Sequence, residues 1–258
     1  MAFVLSKSAQ ADLEPRHSAP AGGRPMYSSG EGRLVRADNR RMIRPATASQ
    51  RPERGERSMK LVILDRDGTI NQDRDDYVKS ADEWQPIPGA LEAIARLNHG
   101  GWHVVVATNQ SGLGRGLFDM AALNAMHLKM NMLLAKVGGR IDAVFFCPHT
   151  RDEGCDCRKP LPGLVLQIGQ RYGMRLDQVP IVGDSLRDLQ AGVAVGCEPH
   201  LVRSGKVARM SEAELAALLA QVPGVRVHDD LAAFVDCMAR REAIEDGQPG
   251  GALGRLSG

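Results

Sequence analysis

The sequence predicts one doubly wound α/β domain, a Rossmann-like parallel sheet covered on both faces by helices, over residues 59–240. Three observations predict it. Short apolar runs alternate with helical patterns of about 10–15 residues, the spacing of βαβ units. Gly and Pro pairs punctuate the boundaries between them. Each of the first four strands also runs directly into polar residues capable of chemistry. Strands linked this way need right-handed crossovers, which align their carboxyl ends at one edge of the sheet.

The first strand is Leu61, Val62, Ile63 and Leu64, closed at once by Asp65-Arg66-Asp67-Gly68-Thr69. With a side-chain period of two, Asp65 and Asp67 are expected on one side and Arg66 on the other. Pro88-Gly89 opens a helix that runs to about Asn98 and ends at Gly100-Gly101. A second strand, Val104 to Ala107, leads into Thr108-Asn109-Gln110-Ser111-Gly112. A helix from Met120 to Lys136 stops at Gly138-Gly139, and Ala143 to Phe146 forms the third strand ahead of a cysteine-rich loop. Pro162-Gly163 opens the next helix, and Pro180 to Gly183 is a strand ending in Asp184. Pro199 to Val202, a helix from Glu212, Val225 to Val227 and a helix from Leu231 extend the sheet.

The flanks differ in kind. Residues 1–58 hold 11 Lys+Arg against 6 Asp+Glu, a net charge of +5, which leaves −3 for residues 59–258. With almost no apolar periodicity, residues 1–58 cannot bury enough surface to offset their ordering entropy. They are expected to be a disordered basic extension or an upstream mis-assigned start, since Met59 immediately precedes the first strand. Residues 241–258 are expected to be a flexible tail. No run of eighteen apolar residues spans a membrane, and the amino terminus lacks the apolar core of a secretory signal. Cytoplasmic placement follows as the expectation.

The strand endings suit phosphoryl transfer, which needs an in-line nucleophile, cations on the non-bridging oxygens and a proton for the leaving oxygen. Asp65 can attack phosphorus to give an aspartyl phosphate. Asp67 can protonate the leaving alcohol and later deprotonate water, provided its proton affinity exceeds that of Asp65. Asp184 adds a second metal carboxylate, and hard oxygen ligands with room for phosphate imply Mg²⁺. Thr108 can hold phosphoryl oxygens, and Lys159 can neutralise their charge in the transition state.

The Asp-x-Asp-Gly-Thr turn, the strand ending in Thr108-Asn109, Lys159 and Gly183-Asp184-Ser185-x-x-Asp188 resemble the four motifs of the haloacid dehalogenase-like hydrolases. Asp-Arg-Asp-Gly-Thr-Ile-Asn, Thr-Asn-Gln-Ser-Gly, Cys-Pro-His with Cys-x-Cys-Arg-Lys-Pro, and Gly-Asp-Ser-x-x-Asp-Leu-Gln-Ala-Gly resemble, within that superfamily, the D-glycero-D-manno-heptose 1,7-bisphosphate 7-phosphatases. The resemblance implies Asp65 as nucleophile, Asp67 as proton donor, Mg²⁺ on Asp65, Asp67 and Asp184, and phosphate stabilisation by Thr108 and Lys159. It also implies substrate recognition by Arg158 and by two loops. One holds Asp73, Asp76 and Tyr77; the other holds Thr108, Asn109, Gln110, Ser111 and Gly112. Arg115 is either a ligand for a second substrate phosphate or a solvated loop charge. Asp188 is either an orienting residue behind the site or a first-turn helix acid.

Cys147-x-His149-x5-Cys155-x-Cys157 supplies three thiolates and one imidazole, a closed tetrahedral set for structural Zn²⁺. Cys157 directly precedes Arg158 and Lys159, so the zinc-stapled loop is expected to aim both cations. The intervals that hold large cap domains in this superfamily are short: about seventeen residues from Asn71 to Pro88 in the first, and the zinc loop in the second. No large cap is therefore expected, and the site should be open. A monomer acting on a small phosphorylated sugar, with no nucleic-acid or membrane partner, is the expected state.

Three other functions compete with this reading. Histidinol-phosphate phosphatases resemble the chain in the acid motifs and the zinc loop; Ser111, Ser185 and the lack of a fused dehydratase domain favour the heptose. A zinc-stapled nucleic-acid module would leave Asp65, Asp67 and Asp184 without a purpose, because acids repel a polyanion. An end-processing polynucleotide phosphatase would need an aromatic or basic groove, which residues 59–240 do not suggest.

Overall fold

The computed structural model describes residues 3–5 and 59–245. In chain order the strands are β1 (Phe3–Leu5), β2 (Lys60–Leu64), β3 (Trp102–Asn109), β4 (Ala143–Cys147), β5 (Pro180–Gly183), β6 (Glu198–Val202) and β7 (Arg226–His228). The helices are α1 (Ala90–His99), α2 (Ser111–Gly114), α3 (Met120–Lys136), α4 (Gly163–Tyr172), α5 (Leu186–Val193), α6 (Glu212–Leu219) and α7 (Leu231–Glu245). The sheet order is β1-β4-β3-β2-β5-β6-β7. All neighbours pair in parallel except β1, which lies antiparallel on β4.

Strand β2 sits where the order reverses. Leu64 is level with Val106 of β3 on one side and with Val182 of β5 on the other. The chain leaves β3 and β5 in opposite directions, which opens a crevice beyond the carboxyl end of β2. The Asp65 N–H donates to Val182 O at 2.8 Å, so the first residue past the strand is still tied to the sheet.

The pleat sorts the core. Val62 and Leu64 join Val104, Val106, Ile94, Leu97, Met126 and Phe234 on the face covered by α1, α3 and α7. Leu61 and Ile63 join Val105, Leu164, Ile168 and Ala191 under α4 and α5. Each such fully buried aliphatic side chain contributes about 1.5–3 kcal/mol by leaving water. A third, smaller cluster (Leu201, Val207, Leu215, Leu218) packs α6 against β6. Among the described residues, neither short interval carries an inserted domain.

Several boundaries differ from the sequence expectation. β3 runs on through Thr108 and Asn109, and β4 includes Cys147, because parallel pairing continues to Asn109 opposite Cys147. Three residues of the segment expected to lack structure form β1, an apolar Phe-Val-Leu run that pairs the edge of β4. The rest of the proposed extension lies outside the described residues. The carboxyl-terminal boundary also moves. Helix α7 continues to Glu245, held at Arg241 by Glu198 at 2.8 Å and at Glu242 by Lys60 at 2.8 Å. The remainder of the proposed tail, 246–258, lies outside the described residues.

Candidate active site

The chain stops being extended at Leu64. Arg66 O accepts from Ile70 N at 2.8 Å and Asn71 N at 3.1 Å, so a tight turn replaces the pleat. Gly68 takes φ 84° inside it and lies against the Asp184 carboxylate, where a Cβ would collide. The turn also cancels the expected alternation. Arg66 is not turned away from its neighbours: its side chain is 1% exposed and forks onto the Asp67 carboxylate, with Nη2 at 2.9 Å from both oxygens.

Asp65 faces a different set. Lys159 Nζ lies 2.8 Å from Asp65 Oδ1, 2.6 Å from Asp188 Oδ1 and 2.6 Å from Ala107 O. Oxygens of Asp65, Asp184 and Asp188 all come within 4.8 Å of one another. Burial, the Asp188 charge and the Asp65 charge push Asp184 up to about 8. Burial and Asp188 push Asp65 up to about 6, against the pull of Lys159. Lys159 is itself raised: burial pulls it down, but the Asp188 and Asp65 charges outweigh that. Three clustered carboxylates against one ammonium leave surplus negative charge, and hard oxygens suit a divalent cation.

The Asp67 carboxylate lies outside that cluster. Its side chain accepts from Arg66, from Asn71 Nδ2 at 2.8 Å and from Gln110 Nε2 at 2.9 Å. Burial alone raises its carboxyl, but the Arg66 charge and these bonds hold it below the ordinary range. Without bound metal the proton affinities of Asp65 and Asp67 therefore run opposite to the order general acid catalysis requires.

These groups line a cleft of about 250 Å³. Asp73, Tyr77, Thr108, Asn109, Gln110, Ser111 and Arg158 border it, as the sequence reading placed them. Asp76, Gly112 and Arg115 do not. Asp76 pairs with Arg74 and Lys79, which hold its carboxyl well below the usual range. Gly112 is small because the Phe118 ring fills the space a Cβ would take. Arg115 caps the short helix α2 on the surface. Asn109 bridges to the cysteine loop, accepting from Lys159 N at 3.1 Å and donating to Lys159 O at 3.0 Å.

Arg187, Lys206 and His127 entered no sequence argument for the site, and Arg66 was expected to point away from it. Arg187 and Lys206 line the cleft, and the Lys206 backbone N–H donates to Asp184 Oδ2 at 2.6 Å while its ammonium pairs with Asp73. Their only sequence signal is position, on α5 just past Asp184 and on the loop after β6. A fifth strand's carboxyl end was always going to face the same crevice.

The second cluster closes as its spacing implied. Cys147 Sγ lies 3.5 Å from His149 Nδ1 and 3.7 Å from Cys155 Sγ, and His149 Nδ1 lies 3.3 Å from Cys157 Sγ. Tetrahedral zinc with ordinary bond lengths requires S···S edges of about 3.8 Å and S···N edges of about 3.6 Å. The thiolates and the imidazole therefore fit a four-coordinate soft-metal site. Arg158 donates to His149 O at 3.2 Å, so this loop also steers a cleft-lining guanidinium.

A protein of Bordetella bronchiseptica named D-glycero-beta-D-manno-heptose-1,7-bisphosphate 7-phosphatase is 55% identical over 179 residues, 69% of this chain and 97% of that protein. The chain belongs to that family. Its counterpart in Pseudomonas aeruginosa is 50% identical over 181 residues, covering 70% of this chain and 98% of its own length. A crystal structure of the B. bronchiseptica D,D-heptose 1,7-bisphosphate phosphatase, complexed with magnesium and phosphate, superposes with a TM-score of 0.66 at 54% identity, over 71% of this chain and 99% of that one. Two family models also match: HAD-hydrolase-like over residues 156–234, and polynucleotide kinase 3 phosphatase over residues 60–191. The chain is thus a haloacid dehalogenase-like phosphoric monoester hydrolase, and its α/β fold agrees with that membership. Among the described residues no helix is long and apolar enough to cross a membrane.

Proposed function

We propose that the protein removes the 7-phosphate of D-glycero-D-manno-heptose 1,7-bisphosphate, a step toward nucleotide-activated heptose for the lipopolysaccharide core. The observation that carries the chemistry is Asp65, at the switch point of the sheet, facing both the carboxylate pair Asp184 and Asp188 and the Lys159 ammonium. The substrate is argued from kinship, since relatives sharing half or more of their residues over nearly their whole length bear that name.

In the first half-reaction a carboxylate oxygen of Asp65 bonds to phosphorus as the bond to the sugar oxygen breaks, and Asp67 gives that oxygen a proton. In the second, water attacks phosphorus, its proton passes to Asp67, and the Asp65–phosphorus bond breaks to release phosphate. The phosphoryl dianion, arriving beside Asp67, raises that carboxyl toward a protonated state. Lys159 and the Thr108 hydroxyl hold the non-bridging oxygens. Asp65, Asp67 and Asp184 are the residues that would hold Mg²⁺, while both oxygens of Asp188 are already taken by Lys159 and Ser185. The ion supplies charge neutralisation that lets a carboxylate approach a phosphate.

Cys147, His149, Cys155 and Cys157 would hold structural Zn²⁺, keeping Arg158 and Lys159 aimed into the cleft. Substrate contacts are assigned to Asp73, Tyr77, Asn109, Gln110, Ser111 and Arg158, with Arg187 and Lys206 added by their places in the cleft. Thiolate ligands suit a reducing cytoplasm, and a monomer is the proposed working state. The match to the polynucleotide 3-phosphatase model leaves an end-processing activity as the second reading to test.

Phosphate release with Mg²⁺ from heptose 1,7-bisphosphate, histidinol phosphate and a 3′-phosphorylated oligonucleotide, each beside an Asp65→Asn control, tests the proposal. A preference of about a hundredfold or more for the bisphosphate is expected, because a substrate lacking the second phosphate leaves polar groups of the cleft unpaired. Preference for either other substrate would overturn the substrate and leave Asp65 in place.

A further inference from the structure

Arg66 is a buried charge that no metal or phosphate in the reaction scheme explains. A guanidinium taken out of water is tolerated only when its donors are matched. Here Nε donates to Asp67 Oδ1 at 3.2 Å, Nη2 reaches both Asp67 oxygens and Gln110 Oε1 at 3.1 Å, and Nη1 meets His127 Nε2 at 3.3 Å. His127 is 3% exposed and its pKa is pushed down to about 3, first by burial and then by the Arg66 charge. Its Nε2 must accept from the arginine, so the ring proton sits on Nδ1. That Nδ1 has no partner among the described residues. Seating Arg66 thus leaves one buried imidazole N–H unsatisfied.

The far side of the same network reaches Thr108, the residue proposed to hold phosphoryl oxygens. Gln110 Nε2 donates to Asp67 Oδ2 and, at 2.9 Å, to Thr108 Oγ1. His127, Arg66, Asp67, Gln110 and Thr108 form one continuous buried chain from α3 to the end of β3. A carboxylate on a turn would otherwise sample several rotamers; held from both oxygens, it keeps one orientation relative to the phosphoryl group.

We propose that Arg66 is the positioning residue for the proton transfers of Asp67, and that His127 seats Arg66 for that purpose. The inference rests on the reading of Asp67 as acid and base. Bond making from Asp65 to phosphorus, bond breaking to the leaving oxygen and proton movement from Asp67 to that oxygen happen in one step, so a misaimed Asp67 slows it. The penalty depends on the leaving group. An alkoxide must be protonated as it leaves, whereas p-nitrophenolate departs as an anion.

The test compares kcat/KM, which reports steps up to phosphoryl transfer, for a primary sugar phosphate and for p-nitrophenyl phosphate. Wild type, Asp67→Asn, Arg66→Met, His127→Leu and His127→Gln are measured side by side. Arg66→Met is expected to lose roughly a hundredfold on the sugar phosphate, the scale of general acid catalysis, and less than about tenfold on the aryl ester. His127→Leu should show the same asymmetry more weakly, and His127→Gln, whose carbonyl can accept from Nη1, should recover it. Equal losses on both substrates in Arg66→Met, or in His127→Leu if Arg66→Met does not fold, would overturn the proposal. Failure of Asp67→Asn itself to discriminate the substrates would instead overturn the acid–base reading beneath it.

Discussion

Lys159 Nζ lies 2.6 Å from Asp188 Oδ1, and both side chains are almost fully buried. The other oxygen of Asp188 accepts from Ser185 Oγ at 2.6 Å and Ser185 N at 3.1 Å, completing a capping box at the start of α5. One carboxylate thus terminates a helix and fixes the cation beside Asp65, so the two alternatives open in the sequence meet in one residue.

Asp188→Asn removes the charge that balances Lys159 and keeps the size. Breaking a buried pair from one side costs about 3 kcal/mol, so urea unfolding should show a loss near that figure. Turnover should fall by at least tenfold, because Lys159 then pairs with Asp65 alone and competes for the nucleophile. Unchanged stability and turnover together would remove Asp188 from the site.

A Cβ at Gly205 would overlap the Asp184 carboxylate. Gly205→Ala should therefore displace Asp184. The expected readout is a rise of about tenfold or more in the Mg²⁺ concentration for half-maximal activity, equal to ~1.4 kcal/mol of lost binding. An unaltered Mg²⁺ dependence would exclude Asp184 as a ligand.

Cys155→Ser should abolish one bound zinc per chain, measured by native mass spectrometry, and lower turnover sharply while Asp65, Asp184 and Asp188 stay in place. Its effect runs through Arg158 and Lys159, which the loop carries. A zinc-free variant with normal turnover would show that the loop holds its shape unaided.

His200 is fully buried, stacked on His228 with Nδ1 to Nε2 at 2.9 Å, and its pKa is pushed down to about 3, first by burial and then by neighbouring positive groups. Its ordinary value is 6.5. Between those values the unfolded chain binds a proton that the folded chain does not, so stability rises with pH across this window. The contribution is complete above about pH 6.5 and is lost on acidification, by about 2 kcal/mol between pH 7 and pH 5. His200→Gln should shrink the difference in urea stability between those two pH values, with His127 supplying a residual dependence of the same sign. An undiminished difference would assign acid sensitivity elsewhere.

Most of the fold was legible because its signals are local. Apolar runs such as Leu61 to Leu64 and Val104 to Ala107, bounded by turn residues, named the buried strands, and the βαβ rule aligned their ends. The motif acids were legible for the same reason, being the residues that follow those strands. What escaped was long-range or broke a period. Arg66 was misplaced because the strand ends at Leu64, two residues before it, so alternation no longer applies. His127 sits 61 positions from Arg66, on α3, and no spacing rule joins them. Arg115 and Asp76 had suitable chemistry and loop positions, but their surroundings face solvent and not the cleft. The edge pairing of Phe3–Leu5 depends on β4, far along the chain, which composition alone does not report.

In the proposed mechanism Asp65 carries the phosphoryl group in transit. Rapid acid quenching during turnover of heptose 1,7-bisphosphate, followed by borohydride reduction and peptide mass spectrometry, reads it directly. An acyl phosphate at residue 65 would appear as homoserine at that position, absent without substrate and absent in Asp65→Asn. Steady turnover with no reduced residue at 65, or with the reduction at another carboxylate, would contradict the mechanism.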